Sequence, residues 1–161
     1  MKRLCIIPCG AKKIWDKYPE TGAVEAKNAY ISPFGKACQA YATRFFTNWV
    51  FLSAKHGFLG PTDRIPQNYD LAFDHKSPHI ITLEVLQQQI EKKALHHFDE
   101  IIVLGGKKHR RVVEQLFEKE KLQYPLEGCR GIGYMLQRLQ HAVQEGQELE
   151  ENWYAVKLLN D

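Results

Sequence analysis

Three short apolar runs end in nearly the same way. Leu4-Cys5-Ile6-Ile7-Pro8 leads into Cys9-Gly10-Ala11-Lys12-Lys13, Val50-Phe51-Leu52 into Ser53-Ala54-Lys55-His56-Gly57, and Ile101-Ile102-Val103-Leu104 into Gly105-Gly106-Lys107-Lys108-His109. Unbroken apolar runs of this length are the pattern of strands buried on both faces, as in a parallel sheet covered by helices. In such open sheets ligands bind beyond the carboxyl ends of the strands, where small residues let the backbone approach and cations meet an anion. Three ends of this kind on one sheet make a single basic pocket.

The segments between the runs supply the crossovers. The first strand, about Arg3 to Pro8, is followed by an irregular stretch to Tyr30 that carries Trp15, Tyr18 and Tyr30. A loop of that length in a small domain is either functional or disordered, and its aromatics favour the ordered, functional option. Ser32 caps and Pro33 starts a helix to about Phe46. A strand from about Trp49 to Ser53 opens into a second irregular stretch, Lys55 to about Ile81, punctuated by Pro61, Pro66, Asn68 and Pro78. Thr82 caps a helix to about His97, followed by a strand from Glu100 to Leu104 and a helix from Lys108 to about Lys119. A short apolar piece, Leu122 to Pro125, and the glycine-rich Gly128 to Gly133 precede a helix from about Ile132 to Gln144. This alternation predicts an α/β fold, a three-layer α/β/α sandwich with a mainly parallel sheet in a single domain, residues 1–144. Residues 145–161 form an acidic tail in which Asn152 to Leu158 alternates like an added edge strand.

Composition narrows the function classes. With 161 residues, 44% hydrophobic and 25% charged, the chain is that of an ordinary globular domain. No apolar run approaches the roughly 20 residues of a membrane span, and Met1-Lys2-Arg3 enters a strand at once, so no membrane partner and a cytoplasmic location are expected. Cys5, Cys9, Cys38 and Cys129 form no Cys-x-x-Cys pair and read as reduced thiols, with Cys5 and Cys38 as packing residues. The histidines have no metal-ligand spacing, and neither metal nor other cofactor is expected. The net charge of +3 is uneven: residues 145–161 hold five acids against Lys157, leaving 21 bases against 14 acids elsewhere. That excess suits a phosphate-bearing small molecule or a nucleic acid.

Each strand end offers chemistry and a plainer alternative. Cys9 beside Lys12 and Lys13 is either a nucleophile whose thiolate the lysines favour or a small residue in a tight turn. Ser53, Lys55 and His56 put a hydroxyl, an amine and an imidazole directly after a buried strand, with His56 able to act as acid or base, unless they only shape a loop with Gly57. Gly105 and Gly106, then Lys107, Lys108, His109, Arg110 and Arg111, load cations onto a helix N-terminus, an arrangement that is unfavourable unless something negative binds there. Asp70, after Asn68 and Tyr69, is a base, a substrate orienter, a lysine partner or a turn residue.

The segments Pro8 to Lys13, Leu52-Ser53-Ala54-Lys55-His56-Gly57-Phe58-Leu59 and Asn68-Tyr69-Asp70 resemble a family of short bacterial and phage proteins known as a domain of unknown function and similar to the YaaA peroxide-stress proteins. The resemblance spans about residues 3 to 140, and Ser53 to Gly57 is its most specific piece. It implies a link to protection from oxidative damage and to DNA binding. A more distant resemblance, to the Pro-Cys-x-x-x-Lys motif of archaeosine synthase, falls on Pro8, Cys9 and Lys13 and implies modification of a nucleobase in RNA; Ile14-Trp15 stands where that motif has Pro-Tyr.

The expected function is a nucleotide-, nucleobase- or nucleic-acid-modifying enzyme of transferase or hydrolase type. Cys9, Lys55, His56 and Asp70 are the expected catalytic residues. Lys12, Lys13, Ser53, Gly57, Tyr69, Gly105, Gly106 and Lys107 are expected to bind substrate, and Lys108, Arg110 and Arg111 to meet nucleic acid. The alternatives are a non-catalytic DNA- or RNA-binding protein of the YaaA type, and an assembly module docking through the acidic tail.

Overall fold

The computed structural model describes residues 1–150. Seven strands, β1 (Arg3–Pro8), β2 (Val24–Glu25), β3 (Asn48–Ser53), β4 (Gly57–Leu59), β5 (Arg64–Ile65), β6 (Glu100–Val103) and β7 (Leu122–Gln123), occur among them. They are interspersed with six α-helices, α1 (Ile14–Lys17), α2 (Ala26–Ala29), α3 (Pro33–Phe45), α4 (Leu83–Lys92), α5 (Lys107–Val113) and α6 (Ile132–Glu145).

The main sheet has the order β4-β3-β1-β6-β7. Strand β1 pairs in parallel with both β3 and β6, with Ile6 opposite Val50 on one side and Val103 on the other; β7 is also parallel, and β4 folds back antiparallel from β3. Successive side chains of a strand point to opposite faces, so each apolar run feeds two cores. Cys5, Ile7, Phe51, Ile102 and Leu104 pack on one side with Tyr41 and Ala42 of α3 and Leu139 and Ala142 of α6. Leu4, Ile6, Leu52, Ile101 and Val103 pack on the other with Leu86 and Ile90 of α4 and Val112 and Val113 of α5. The result is the expected three-layer α/β/α sandwich on a mainly parallel sheet, and no helix among the described residues is long and apolar enough to cross a membrane.

Local signals explain most boundaries. The Ser32 hydroxyl accepts from the Gly35 amide at 3.1 Å, with Pro33 at the first helical position of α3. Thr82 caps α4 in the same way, accepting from the Val85 amide at 3.2 Å. The helix expected to reach His97 is broken by Ala94, whose φ of 57° is left-handed, and resumes as a 3-10 turn over Leu95–His97. Helix α5 ends at Val113, shorter than expected.

The two irregular stretches are ordered because they are sewn to each other. Strands β2 and β5 form a small antiparallel sheet, Ala26 donates to the Asp63 carbonyl at 2.8 Å, and the Asn68 side chain donates to the Asp16 carboxylate at 3.1 Å. Trp15 is buried and its indole N–H donates to the Thr21 carbonyl at 2.8 Å, while Lys13 bridges to Tyr30. Beyond α6, Glu148 pairs with Arg3, and the Leu149 amide donates to the Tyr41 hydroxyl at 3.0 Å. The expected edge strand over Asn152 to Leu158 lies outside the described residues.

Candidate functional site

Strands β1 and β6 are neighbours, yet the helix that follows β1 lies on one face of the sheet and the helix that follows β6 on the other. The chain therefore leaves their carboxyl ends toward opposite faces, and a crevice at such a point is where open α/β sheets hold ligands. A cleft of about 520 Å³ opens there. Its floor is Cys9 and Gly10 just after β1 and Leu52 and Ala54 at the end of β3; its far wall is Gly106, which caps α5, with Lys108 and His109 in the first turn of that helix. The continuous run Tyr69 to His75 covers it, and Phe34, Ile132 and Met135 add apolar surface.

Tyr69 is the point on which the two stitched loops converge. Its hydroxyl is hydrogen-bonded to the Tyr30 hydroxyl and, at 2.9 Å, to the Ser53 hydroxyl. Above its ring sit the Lys13 ammonium, 4.4 Å from the centroid, and the Lys55 ammonium at 5.7 Å, while the His56 ring meets it edge-on at 5.1 Å. Burial raises both phenols well above the ordinary tyrosine range, so each stays a protonated donor.

Lys13 is only 4% exposed, and among the described residues no carboxylate lies within salt-bridge distance of it. Its Nζ donates to the Ala11 carbonyl at 3.1 Å, which uses one of three donors. Burial lowers its pKa, with Asp16, Cys9 and Asp70 pulling the other way. The side chain lines both the main cleft and an adjoining cavity bounded by Asp16, Asn68 and Asp70. A buried ammonium left without an anion in a cavity wall is a strained arrangement that a negatively charged ligand relieves.

Cys9 is buried and its Sγ lies 3.5 Å from the Leu52 carbonyl, to which it donates. Burial pushes the thiol up to about 12, against the hydroxyls of Tyr30 and Tyr69 and the charge of Lys13. In the free protein Cys9 is thus a thiol, and attack by its sulfur requires a proton acceptor inside the cleft.

The second strand end divides between structure and site. Ser53 accepts from the amides of Lys55 at 3.2 Å and His56 at 3.1 Å and so shapes the β3–β4 turn while also holding Tyr69. Gly57 has φ +73° and lies against Gln89 and Ile81, where a side chain would collide, so it serves the turn. His56 is half-buried, and burial followed by the Lys55 charge keeps it below the ordinary histidine range. Lys55 is exposed.

The third strand end differs most from the expected anion seat. Gly105 lies under the ring of His109: a β-carbon at Gly105 would stand 2.6 Å from His109 Cβ and 2.9 Å from its Nδ1. Gly106 and Lys108 line the cleft, whereas Lys107 and Arg111 are exposed outside it. Arg110 is occupied by Glu114 at 2.9 Å and Glu127 at 2.6 Å and lies over the Tyr124 ring, which leaves it poorly placed to meet nucleic acid. Lys12 is exposed, and its carbonyl accepts from Ile31 at 3.1 Å.

Of the expected residues, Cys9, Lys13, Tyr69, Asp70, Gly106 and Lys108 therefore line one cleft, with Ser53, Lys55 and His56 clustered around Tyr69. Tyr30 and His109 belong to the same site but are not among the expected site residues: the sequence marks Tyr30 only as one aromatic of the first loop and His109 only as one of the basic residues after β6, and Tyr30 reaches the site through its bond to Tyr69. Among the described residues no three His, Cys, Asp or Glu side chains group so as to hold a metal ion.

The model of a family of unknown function (DUF6884) matches residues 4–141. Over 150 residues the chain is 51% identical to the uncharacterized protein YfjM of Bacillus subtilis (strain 168), a match that covers 92% of this chain and 100% of that protein. No solved structure matches the chain. The matched span runs from β1 into α6 and so contains every residue of the cleft described above; the chain belongs to this family of unknown function (DUF6884).

Proposed function

We propose that the protein is an enzyme acting on a nucleotide, a nucleobase or a nucleic acid, with the reacting part of the substrate in the cleft between the ends of β1 and β6. The observation that carries this reading is the buried Lys13, without a salt-bridge partner among the described residues, beside Cys9, Tyr69 and Asp70 in a cleft to which Phe34, Leu71, Phe73, Ile132 and Met135 add apolar surface. Apolar walls with a few convergent polar groups are what a small planar ligand bearing a negative charge requires. Lys13 holds the phosphate or, once neutral, accepts a proton; Asp70 orients the substrate or acts as base; and the Tyr69 and Tyr30 hydroxyls donate to a developing charge. Cys9 enters the chemistry only after passing its proton to a neighbour, and Lys13 in its neutral form, whose charge is otherwise felt at the thiol, is the candidate acceptor. The four free cysteines suit a reducing compartment, and the cytoplasm is the proposed location.

A thermal-shift screen against nucleoside monophosphates, free nucleobases and short oligonucleotides tests the reading. A ligand of one of these classes is expected to raise the thermal midpoint of the wild-type protein and not of Lys13→Ala. No shift with any of them, or equal shifts in both proteins, refutes it.

A second reading, a non-catalytic nucleic-acid-binding protein akin to the YaaA stress proteins, draws on exposed Lys107, Lys108 and Arg111 and on exposed Tyr134 just inside α6. It requires affinity for oligonucleotides that falls steeply with salt and survives loss of Lys13.

A further inference from the structure

We propose that residues 70–80 are a lid over the cleft: latched by Phe73 against His109, the segment swings on Tyr69 and Ile81 to admit a ligand to Cys9 and Lys13. The proposal concerns entry to the cleft and not the kind of ligand, so it stands under either reading of the function.

The groups that meet a ligand are shut in. Cys9 is 8% exposed and Lys13 4%, although both line a cleft of about 520 Å³. A ligand reaches them only if part of the lining moves. The floor is fixed, since Cys9 directly follows the paired strand β1 and Leu52 stands opposite Pro8 in β3. The far wall belongs to α5, whose Val112 and Val113 are built into the core. The cover is held differently: Leu71, Ala72, Phe73, Asp74 and His75 line the cleft in one continuous run and belong to no helix or strand.

The attachments of this segment lie at its ends. Before it, the Tyr69 hydroxyl is held by Tyr30 and Ser53. After it, the Ile81 amide donates to the Ala54 carbonyl at 2.8 Å, and Thr82 caps α4. Between these anchors, residues 70–80 form no hydrogen bond and no ion pair with the rest of the described residues. Their bonds are local: the Ala72 amide donates to His75 Nδ1 at 3.2 Å, the His75 amide to the Ala72 carbonyl at 3.0 Å, and the His79 amide to Ser77 Oγ at 3.2 Å. The segment therefore keeps its own shape and lifts without breaking a hydrogen bond to the body. What holds it down is apolar: Phe73 packs against the core of Leu86 and Val112 and meets the His109 ring edge-on at 5.8 Å. A segment fixed at two ends and latched chiefly by one aromatic side chain opens at far lower cost than the sheet and helices beneath it. Its closure keeps water from the reacting groups.

The test is the slow labelling of the buried thiols of the native protein by N-ethylmaleimide at pH 8, followed at each cysteine by tandem mass spectrometry. Cys5 and Cys38 are fully enclosed in the core on the α3 side of the sheet and report opening of the whole fold, whereas Cys9 lies under the lid. Cys9 is expected to label at least about tenfold faster than either. Phe73→Ala is expected to raise the Cys9 rate by about a further tenfold, as loss of one aromatic contact implies, with Cys5 and Cys38 unmoved. Phe73→Leu, which keeps an apolar side chain and is the safer variant for the fold, gives a smaller rise confined to Cys9. Cys9 labelled no faster than Cys5 and Cys38, a Cys9 rate left unchanged by both substitutions, or a rise shared equally by all three thiols overturns the lid. None of these outcomes touches the nucleotide reading, which the thermal-shift screen tests separately.

Discussion

The Lys13 ammonium stands 4.4 Å over the ring of Tyr69, whose hydroxyl is bonded at 2.9 Å to Ser53. One phenol therefore ties the end of β1 to the end of β3 and supports a buried charge from below. Removing the hydroxyl in Tyr69→Phe leaves both the Tyr30 and Ser53 hydroxyls short of a partner inside the protein. Ser53 keeps the Lys55 and His56 amides, so the expected loss, measured by urea denaturation, is about 1–3 kcal/mol of unfolding free energy, the cost of the one unmet hydroxyl of Tyr30. An unchanged midpoint would show that water fills the gap and that the network carries no stability.

The environment of Cys9 makes a prediction about reactivity. Its thiol is buried and raised to about 12, Cys5 and Cys38 are also buried and raised, and Cys129 is the cysteine that is partly exposed. Native protein at pH 8 is expected to react rapidly with Ellman's reagent at Cys129 alone, and at all four thiols once denatured. Rapid labelling of Cys9 in native protein, seen by peptide mass spectrometry, would mean that its thiolate is accessible without substrate.

Gly105 is a test of how tightly the third strand end is built. In Gly105→Ala the new methyl group stands 2.6 Å from His109 Cβ, closer than packed atoms allow. Displacement of the imidazole should cost about 1–3 kcal/mol and show as a lowered thermal midpoint. Gly106, with open space where its side chain would be, should accept alanine with little loss. Equal effects at the two glycines would contradict the packing of His109 on Gly105.

His109 also sets a pH dependence. Its pKa is lowered from 6.5 to about 4, so below pH 6.5 the unfolded chain takes up a proton that the folded chain refuses. Stability therefore falls as the pH drops from about 6.5 toward 4, by on the order of 3 kcal/mol at most from this group. Lys108 and Asp74, the charged groups facing it, act in opposite senses. His109→Phe should flatten that part of the stability curve, and an unchanged slope would show that the ring is not held neutral by the fold.

Much of the scaffold is legible because its signals are local. The apolar run of β1 ends at Pro8, Ser32-Pro33 starts α3, and Thr82 starts α4, each readable from a few neighbouring residues. Strands β4 and β5 are not, since they are three and two residues long and sit in a proline-rich stretch. Strand β4 exists by folding back on β3 across a short turn, and β5 by pairing with β2, far away in the chain. The same distinction runs through the site. Cys9 and Lys13 stand out by their place after a strand, while Tyr30 becomes part of the site only through Tyr69. Arg110 reads as a free cation, but Glu127, 17 residues on, pairs with it.

The central claim is that the buried charge of Lys13 is kept for a ligand and not for the fold. Lys13→Met retains the length and apolar stem while removing the ammonium. Calorimetric titration with the nucleotide, nucleobase or oligonucleotide identified by the thermal-shift screen, alongside urea denaturation of the same variant, separates the two roles. Binding is expected to weaken at least about 30-fold, as loss of a buried ion pair with the ligand implies, while stability is unchanged or increased. Unchanged affinity together with a substantial loss of stability would contradict it.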